Sequence, residues 1–174
     1  MGRDIPLLIF FTIVTVSHAL FIIYAKSLKQ NAPRFRLWNI HYLANSALWF
    51  MLTLWILIIQ SNSRDTTFPF YTEILGLLLC ILGFVLTADG LIRLGFKQAM
   101  GYRFFSPNRL PWTSKGSYSF LHNPMYDGFI LIFLGLGLLR GIFIDFYLAV
   151  VSFMLLNIFL ASVENKEIKI TAIL

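Results

Sequence analysis

From Leu121 to Gly128 the chain reads LHNPMYDG, setting an imidazole, a carboxamide, a proline and a phenol at the mouth of an apolar run. Each brings its own chemistry. His122, with an unperturbed pKa near neutrality, can carry a proton or contact a headgroup. Pro124 suits the first turn of a helix, where its missing N–H costs nothing. That places Asn123 where a side-chain oxygen accepts orphan backbone N–H bonds. The other first-turn N–H groups, at the positive end of the helix dipole, form an anion site that would fit a ligand carboxylate. Met125 and Tyr126 read equally well as packing residues. Two carboxylates elsewhere compete with this cluster. Glu164 closes a long apolar run, where an acid either snorkels to the interface or holds a cation. Asp89 lies near the end of another run, with Arg93 at i+4 as its simplest partner.

The elements that position these residues are set by hydrophobicity. The chain has 174 residues, 58% hydrophobic and 13% charged, against about 25% charged in soluble domains; it is an integral membrane protein by composition. The net charge of +6 then reports loop topology and anionic lipid rather than nucleic acid. The single cysteine, Cys80, lies inside an apolar run, so the sequence offers neither a disulfide framework nor a metal cluster, and a structural thiol is expected. Five runs read as membrane segments: 5–25, 42–59, 70–91, 125–139 and 146–163. Each of the first three has about the length that crosses a hydrocarbon core. The first competes with a signal peptide, because Ser17–Ala19 (SHA) has cleavage-like spacing, but MGRD is not a net positive leader. The fourth is short for a span at about 1.5 Å per residue, so a re-entrant half-helix is its alternative.

The fold expected is all-α, a polytopic bundle of about five membrane helices in one domain, with the last two paired as a tight hairpin. Lys26, Lys29, Arg34 and Arg36 follow the first run, and Arg93, Lys97, Arg103, Arg109 and Lys115 follow the third; both loops are placed in the cytosol by the positive-inside tendency. The second of them, 92–124, is basic, aromatic and broken by Pro107 and Pro111, and cannot face hydrocarbon with its backbone unpaired. A hairpin that enters and returns brings Glu164 to the same side as LHNPMYDG. Arg103, Arg109 and Lys115 there could hold a lipid phosphate.

Taken together, GSY at Gly116–Tyr118, NPMYDG at Asn123–Gly128, and Glu164 at the end of the hairpin resemble the membrane methyltransferases. These include phosphatidylethanolamine N-methyltransferases and isoprenylcysteine carboxyl methyltransferases. NPMY in place of an R-H-P-x-Y motif is similar to the phospholipid branch. The resemblance implies S-adenosylmethionine as cofactor and a membrane phospholipid as substrate. The implied reaction is N-methylation of phosphatidylethanolamine or its monomethyl derivative, in the endoplasmic reticulum membrane. It further implies a cofactor pocket shaped by Gly101, Gly116, Tyr118, Asn123, Pro124, Met125, Tyr126, Gly128 and Glu164, with His122, Tyr126 and Glu164 as catalytic candidates and no metal. The chain departs from the pattern at Val163, where the family has a second glutamate, at Lys97, where it has a glycine, and at Tyr102, where it has an acid. His122 also replaces an Arg or Asp. A non-catalytic membrane subunit of the same fold is the reading these departures leave open.

Overall fold

The computed structural model describes residues 5–27, 33–56, 68–105, 113–160 and 162–163, and among these the secondary structure is helical, with no β-strand. The first helix, α1 (Ile5–Ser27), buries Leu7, Phe11, Val14, His18, Ile22 and Ala25. Their spacing of three and four residues is one face of a helix. Its other face carries Ile9, Ile13 and Leu20, each more than half exposed. The second helix, α2 (Pro33–Leu54), begins well before the apolar run at Tyr42, since a helix needs only backbone pairing and Pro33 is suited to its first turn. Its inward stripe is Trp38, His41, Asn45 and Leu52, so two polar side chains are turned into the protein.

The third helix, α3 (Phe70–Leu94), reverses the arrangement of a soluble protein. Its buried residues are Gly76, Gly83, Gly90 and Leu94, while Leu77, Leu78, Phe84 and Val85 stand more than half exposed. Large apolar side chains belong outside when the solvent is lipid, and small ones belong where helices meet. By length and apolarity, α1 and α3 are each able to cross a membrane.

The partner of α3 is α6 (Pro124–Arg140), and the two make the most extensive helix pair of the fold. Glycines recur every seven residues on α3, at 76, 83 and 90, and again on α6 at 128 and 135; that spacing returns to one side of a helix pair. Where they face each other the backbones touch. A Cβ added at Gly83 would lie 2.6 Å from the Gly128 carbonyl oxygen, and one at Gly135 would lie 2.6 Å from the Gly76 carbonyl and from Cys80 Sγ. Cys80 is thus packed in the seam, where its thiol approaches the Ile132 carbonyl at 3.7 Å.

Between α3 and α6 the chain folds over one end of the bundle. Gly95, at φ 81° and ψ 141°, ends α3 with a backbone geometry open only to glycine. The one-turn helices α4 (Phe96–Ala99) and α5 (Tyr102–Phe105) follow, and a 3-10 turn, Gly116–Ser119, leads into α6. At the other end of α6, Gly141 takes a left-handed conformation and donates its N–H to the Gly137 carbonyl at 2.9 Å, a glycine C-cap. After it comes α7 (Phe143–Ser152), packed on α6. The linking turn is closed by Arg140 and the fully buried Asp145, 3.8 Å apart. The helix runs on as a π-helix, Phe153–Leu160. There Asn157 Nδ2 donates to Asp127 Oδ1 on α6 at 2.8 Å.

Candidate functional site

At the end of the bundle covered by α4, the helices part around a cavity of about 310 Å³, the lower end of the range for small-molecule sites. Met125, Tyr126 and Phe129 of α6 form one wall and Thr87 and Leu91 of α3 another; Thr15 and His18 of α1 face Asn45, Ser46, Trp49 and Phe50 of α2. Phe96, Ala99 and Met100 of the α4 region close it, with Leu156 of the π-helix. The cover is shaped by glycine: Gly101 is at φ 81°, and a Cβ there would stand 3.7 Å from the His18 ring.

The lining is mostly apolar and aromatic, and its polar atoms are few. The buried Thr15 hydroxyl donates to the Phe11 carbonyl at 3.0 Å. His18 Nδ1 lies 2.9 Å from His41 Nε2, with the rings stacked at 5.0 Å. One nitrogen of that pair must carry the hydrogen and the other accept it. Phe21 also stacks on His41, at 4.6 Å between centroids. Asn45 Nδ2 points to Met100 Sδ at 3.8 Å. Asn45 Oδ1, Ser46 Oγ and Thr87 Oγ1 are shielded from solvent and have no hydrogen-bond partner.

The residues singled out in the sequence are distributed around this cavity. Met125 is seated on Gly90, where an added Cβ would come within 2.7 Å of Met125 Cγ, so the α3–α6 seam sets its position. Asn123 occupies the N-cap position of α6 and makes no side-chain cap hydrogen bond; its backbone carbonyl accepts from the Tyr126 and Asp127 amides at 3.0 and 3.1 Å. Asn123, with Gln98, Met125 and Tyr126, borders a small crevice next to the main cavity. Gly128 packs against α3, where a Cβ would lie 2.2 Å from Thr87 Oγ1. His122 and Lys115 are exposed, and Tyr118 is half-buried. Arg103 is placed by its backbone in α5, whereas Arg109 and Glu164 lie outside the described residues.

Gly116 and Asp89 form the latch that holds the loop before α6. Asp89 Oδ2 accepts from the Ser117 amide at 2.8 Å and from the Ser117 hydroxyl at 2.7 Å. Its Oδ1 accepts from Arg93 Nε at 3.0 Å. The i+4 pair expected from sequence is present, then, and Ser117 joins it. Gly116, at φ 63°, lets the turn approach: a Cβ there would be 2.6 Å from Asp89 Oδ2.

The family model described as phospholipid methyltransferase matches residues 71–169. The chain belongs to the phospholipid methyltransferase family. Family membership, with two helices, α1 and α3, long and apolar enough to cross a membrane, makes it an integral membrane protein. No curated protein and no solved structure matches it. The family match takes in α3, the loop and α6 with its NPMY motif, but stops short of α1 and α2. Those two helices nevertheless supply His18, His41, Asn45, Ser46 and Trp49 to the cavity and its surroundings. Sequence reasoning passed over these residues, and over Thr87 and the Asp127–Asn157 pair. The signal that would have found them is the rarity of polar side chains inside apolar helices; His18 was hidden in a triplet weighed only as a cleavage site.

Proposed function

We propose that the protein N-methylates a lipid headgroup amine, that of phosphatidylethanolamine or its monomethyl derivative, with S-adenosylmethionine as methyl donor. In this reading it is a bundle of five membrane helices, the last two forming a hairpin, in the endoplasmic reticulum membrane. The observation that carries the proposal is that Met125 and Tyr126, from the motif typical of the family's phospholipid branch, line the cavity of about 310 Å³ beneath α4. The residues present suit the donor. Trp49, Phe96, Tyr126 and Phe129 line the cavity with aromatic rings, and such rings attract a cationic sulfonium. Bound there, the donor supplies an electrophilic methyl group.

The rest of the work belongs to the chain. Asn123, Pro124, Met125 and Tyr126 border the donor site, with Gly101, Gly116, Tyr118, Gly128 and Glu164 completing it as the family implies. The walls hold the reacting groups in line, and positioning is the main protein contribution to a displacement of this kind. An amine attacks only when neutral. The apolar lining disfavours its protonated form, and Tyr126, His122 and Glu164 are the groups proposed to take or orient the proton. Arg103, Arg109 and Lys115 hold the lipid phosphate from the cytosolic loop.

Calorimetric titration of the purified full-length protein with S-adenosylhomocysteine tests the reading: saturable binding is expected, and no heat at millimolar ligand would overturn it in favour of a non-catalytic subunit. Methyl incorporation into phosphatidylethanolamine, and not into a prenylated cysteine substrate, is the second expectation.

A further inference from the structure

We infer that His18 is the proton acceptor of the reaction: Nε2 of its ring takes a proton from the headgroup ammonium inside the cavity, and His41 holds the ring in the tautomer that allows it. The inference rests on the methyl-transfer reading above, to which it adds a residue of α1. Charge balance calls for an acceptor. A headgroup ammonium and a sulfonium donor bring two positive charges together, whereas the methylated ammonium and the thioether left behind carry one, so each transfer releases a proton. Among the described residues that line the cavity there is no carboxylate and no lysine or arginine, and the titratable ones are His18 and Tyr126. A neutral phenol is a poor acceptor at neutral pH. An imidazole is a good one.

The geometry leaves the right nitrogen available. His18 Nδ1 is engaged with His41 Nε2 at 2.9 Å, so Nε2 is the ring nitrogen left for a ligand. It is not among the sealed side-chain atoms that lack a partner, and His18, 7% exposed, lines the cavity. Its Cε1, between the two nitrogens, is turned toward Gly101, which follows the lining residue Met100. For Nε2 to be bare, the ring hydrogen must sit on Nδ1 and be donated to His41. His41 is thus a positioning residue, the orienting partner that a base requires. Phe21 and Phe105 stack on the His41 ring at 4.6 and 5.8 Å, and such faces favour a positive charge when the pair takes one up. Thr12, Thr15 and Ser17 of α1 spend their hydroxyls on carbonyls of their own helix. Two histidines that meet from different helices of this apolar bundle are instead the arrangement of a proton relay within a membrane.

In the step itself the proton passes from the headgroup nitrogen to His18 Nε2. The lone pair uncovered there forms the N–CH3 bond as the S–CH3 bond breaks with its electrons on sulfur, and the proton returns to water when the product leaves. The described neighbours do not compete for it. α1 packs on α2, α5, α7 and the π-helix. From α2 it is His41 that meets the His18 ring. On α7 the carboxylate, Asp145, is paired with Arg140 at 3.8 Å. Lys26, the charged residue of α1 itself, donates to the Val163 carbonyl and lies over the Phe104 ring. Both histidines lie outside the family match at 71–169, so the acceptor comes from the N-terminal helices and not from the NPMY motif.

The test uses the full-length protein in detergent with its histidine ring nitrogens labelled with nitrogen-15; the chain has 3 histidines, so the spectrum is simple. In the resting protein His18 Nδ1 is expected to carry the hydrogen and Nε2 to be bare. Without methyl donor, the Nε2 resonance should move on addition of short-chain phosphatidylethanolamine and stay in place with phosphatidylcholine, whose nitrogen has no hydrogen to give. A hydrogen on Nε2 in the resting protein overturns the inference and needs no variant, as does an Nε2 resonance indifferent to phosphatidylethanolamine. Methyl incorporation supplies the second readout. His18→Gln can still donate to His41 but cannot take a proton. It should lose roughly a hundredfold in rate at neutral pH with S-adenosylhomocysteine affinity retained. That deficit should shrink by about tenfold per pH unit toward the range of a primary amine, about 10, because the amine then arrives neutral. A deficit equal at every pH would make His18 a packing residue and overturn the inference. If Nε2 responds to phosphatidylethanolamine but the wild type transfers no methyl group, His18 stands as the acceptor of the amine's proton and the methyl-transfer reading fails.

Discussion

Replacing Gly128 by alanine should open the α3–α6 seam and lower the stability of the whole bundle. The new Cβ would lie 2.2 Å from Thr87 Oγ1, 2.6 Å from the Gly83 carbonyl oxygen and 2.9 Å from the Thr87 amide nitrogen. Two of those three atoms are backbone, so no side-chain rotation relieves the contact. Restoring an ordinary separation of 3.4 Å from the Gly83 carbonyl requires the helices to part by about 0.8 Å, a gap that forfeits a quarter to a half of the dispersion energy of the atoms lining it. Overpacking of this kind costs about 1–3 kcal/mol, which in a chain of this size lowers Tm by roughly 2–4 °C per kcal/mol. The assay is thermal unfolding in detergent or nanodiscs. Gly83→Ala should fall in the same range, because its Cβ would meet the Gly128 carbonyl at 2.6 Å. The double variant should lose less than the sum, since the gap opened by one Cβ admits the other. Gly95→Ala is the contrast: nothing lies within 4 Å of its Cβ, and its penalty of about 1–3 kcal/mol comes from backbone geometry alone. An unchanged Tm for both Gly83→Ala and Gly128→Ala, or full additivity in the double variant, would refute the close-packed seam.

Two further outcomes follow from the polar contacts. Asp89→Ala removes the acceptor of the Ser117 amide and hydroxyl, so hydrogen exchange at the Ser117 amide should accelerate markedly while amides in the middle of α3 keep their protection; unchanged exchange at Ser117 would mean that the latch does not hold the turn. His18→Phe strands His41, which is 3% exposed, and should destabilise the protein by about 1–3 kcal/mol. His18→Phe combined with His41→Phe should recover most of that loss in the same unfolding assay, and strict additivity would argue against a coupled pair.

Parts of the molecule were legible in the chain because their causes are local. Pro124 fixes the start of α6 through a conformational property of one residue. The i+4 spacing of Asp89 and Arg93 brought the two side chains together on one helix face. The position of α2 was harder to read. An apolar window locates Tyr42 onward, whereas the helix begins at Pro33, since backbone hydrogen bonding is indifferent to the polarity of the side chains it carries. Asn123 does stand at the N-cap, as its place before Pro124 implies, but it borders the crevice beside the cavity and its side chain makes no capping hydrogen bond.

The sequence by itself determined the membrane class, from composition, and the family, from the order and spacing of NPMYDG and its neighbours, because both are properties of types and intervals along one chain. Only the tertiary structure decided which residues share a cavity. His18 and His41 lie on different helices, and so do Asn45, Thr87 and Tyr126. Their meeting depends on how closely α3 and α6 approach at bare glycine backbone and on where α4 closes over the gap. Those distances are set by packing between elements, which no spacing within an element encodes.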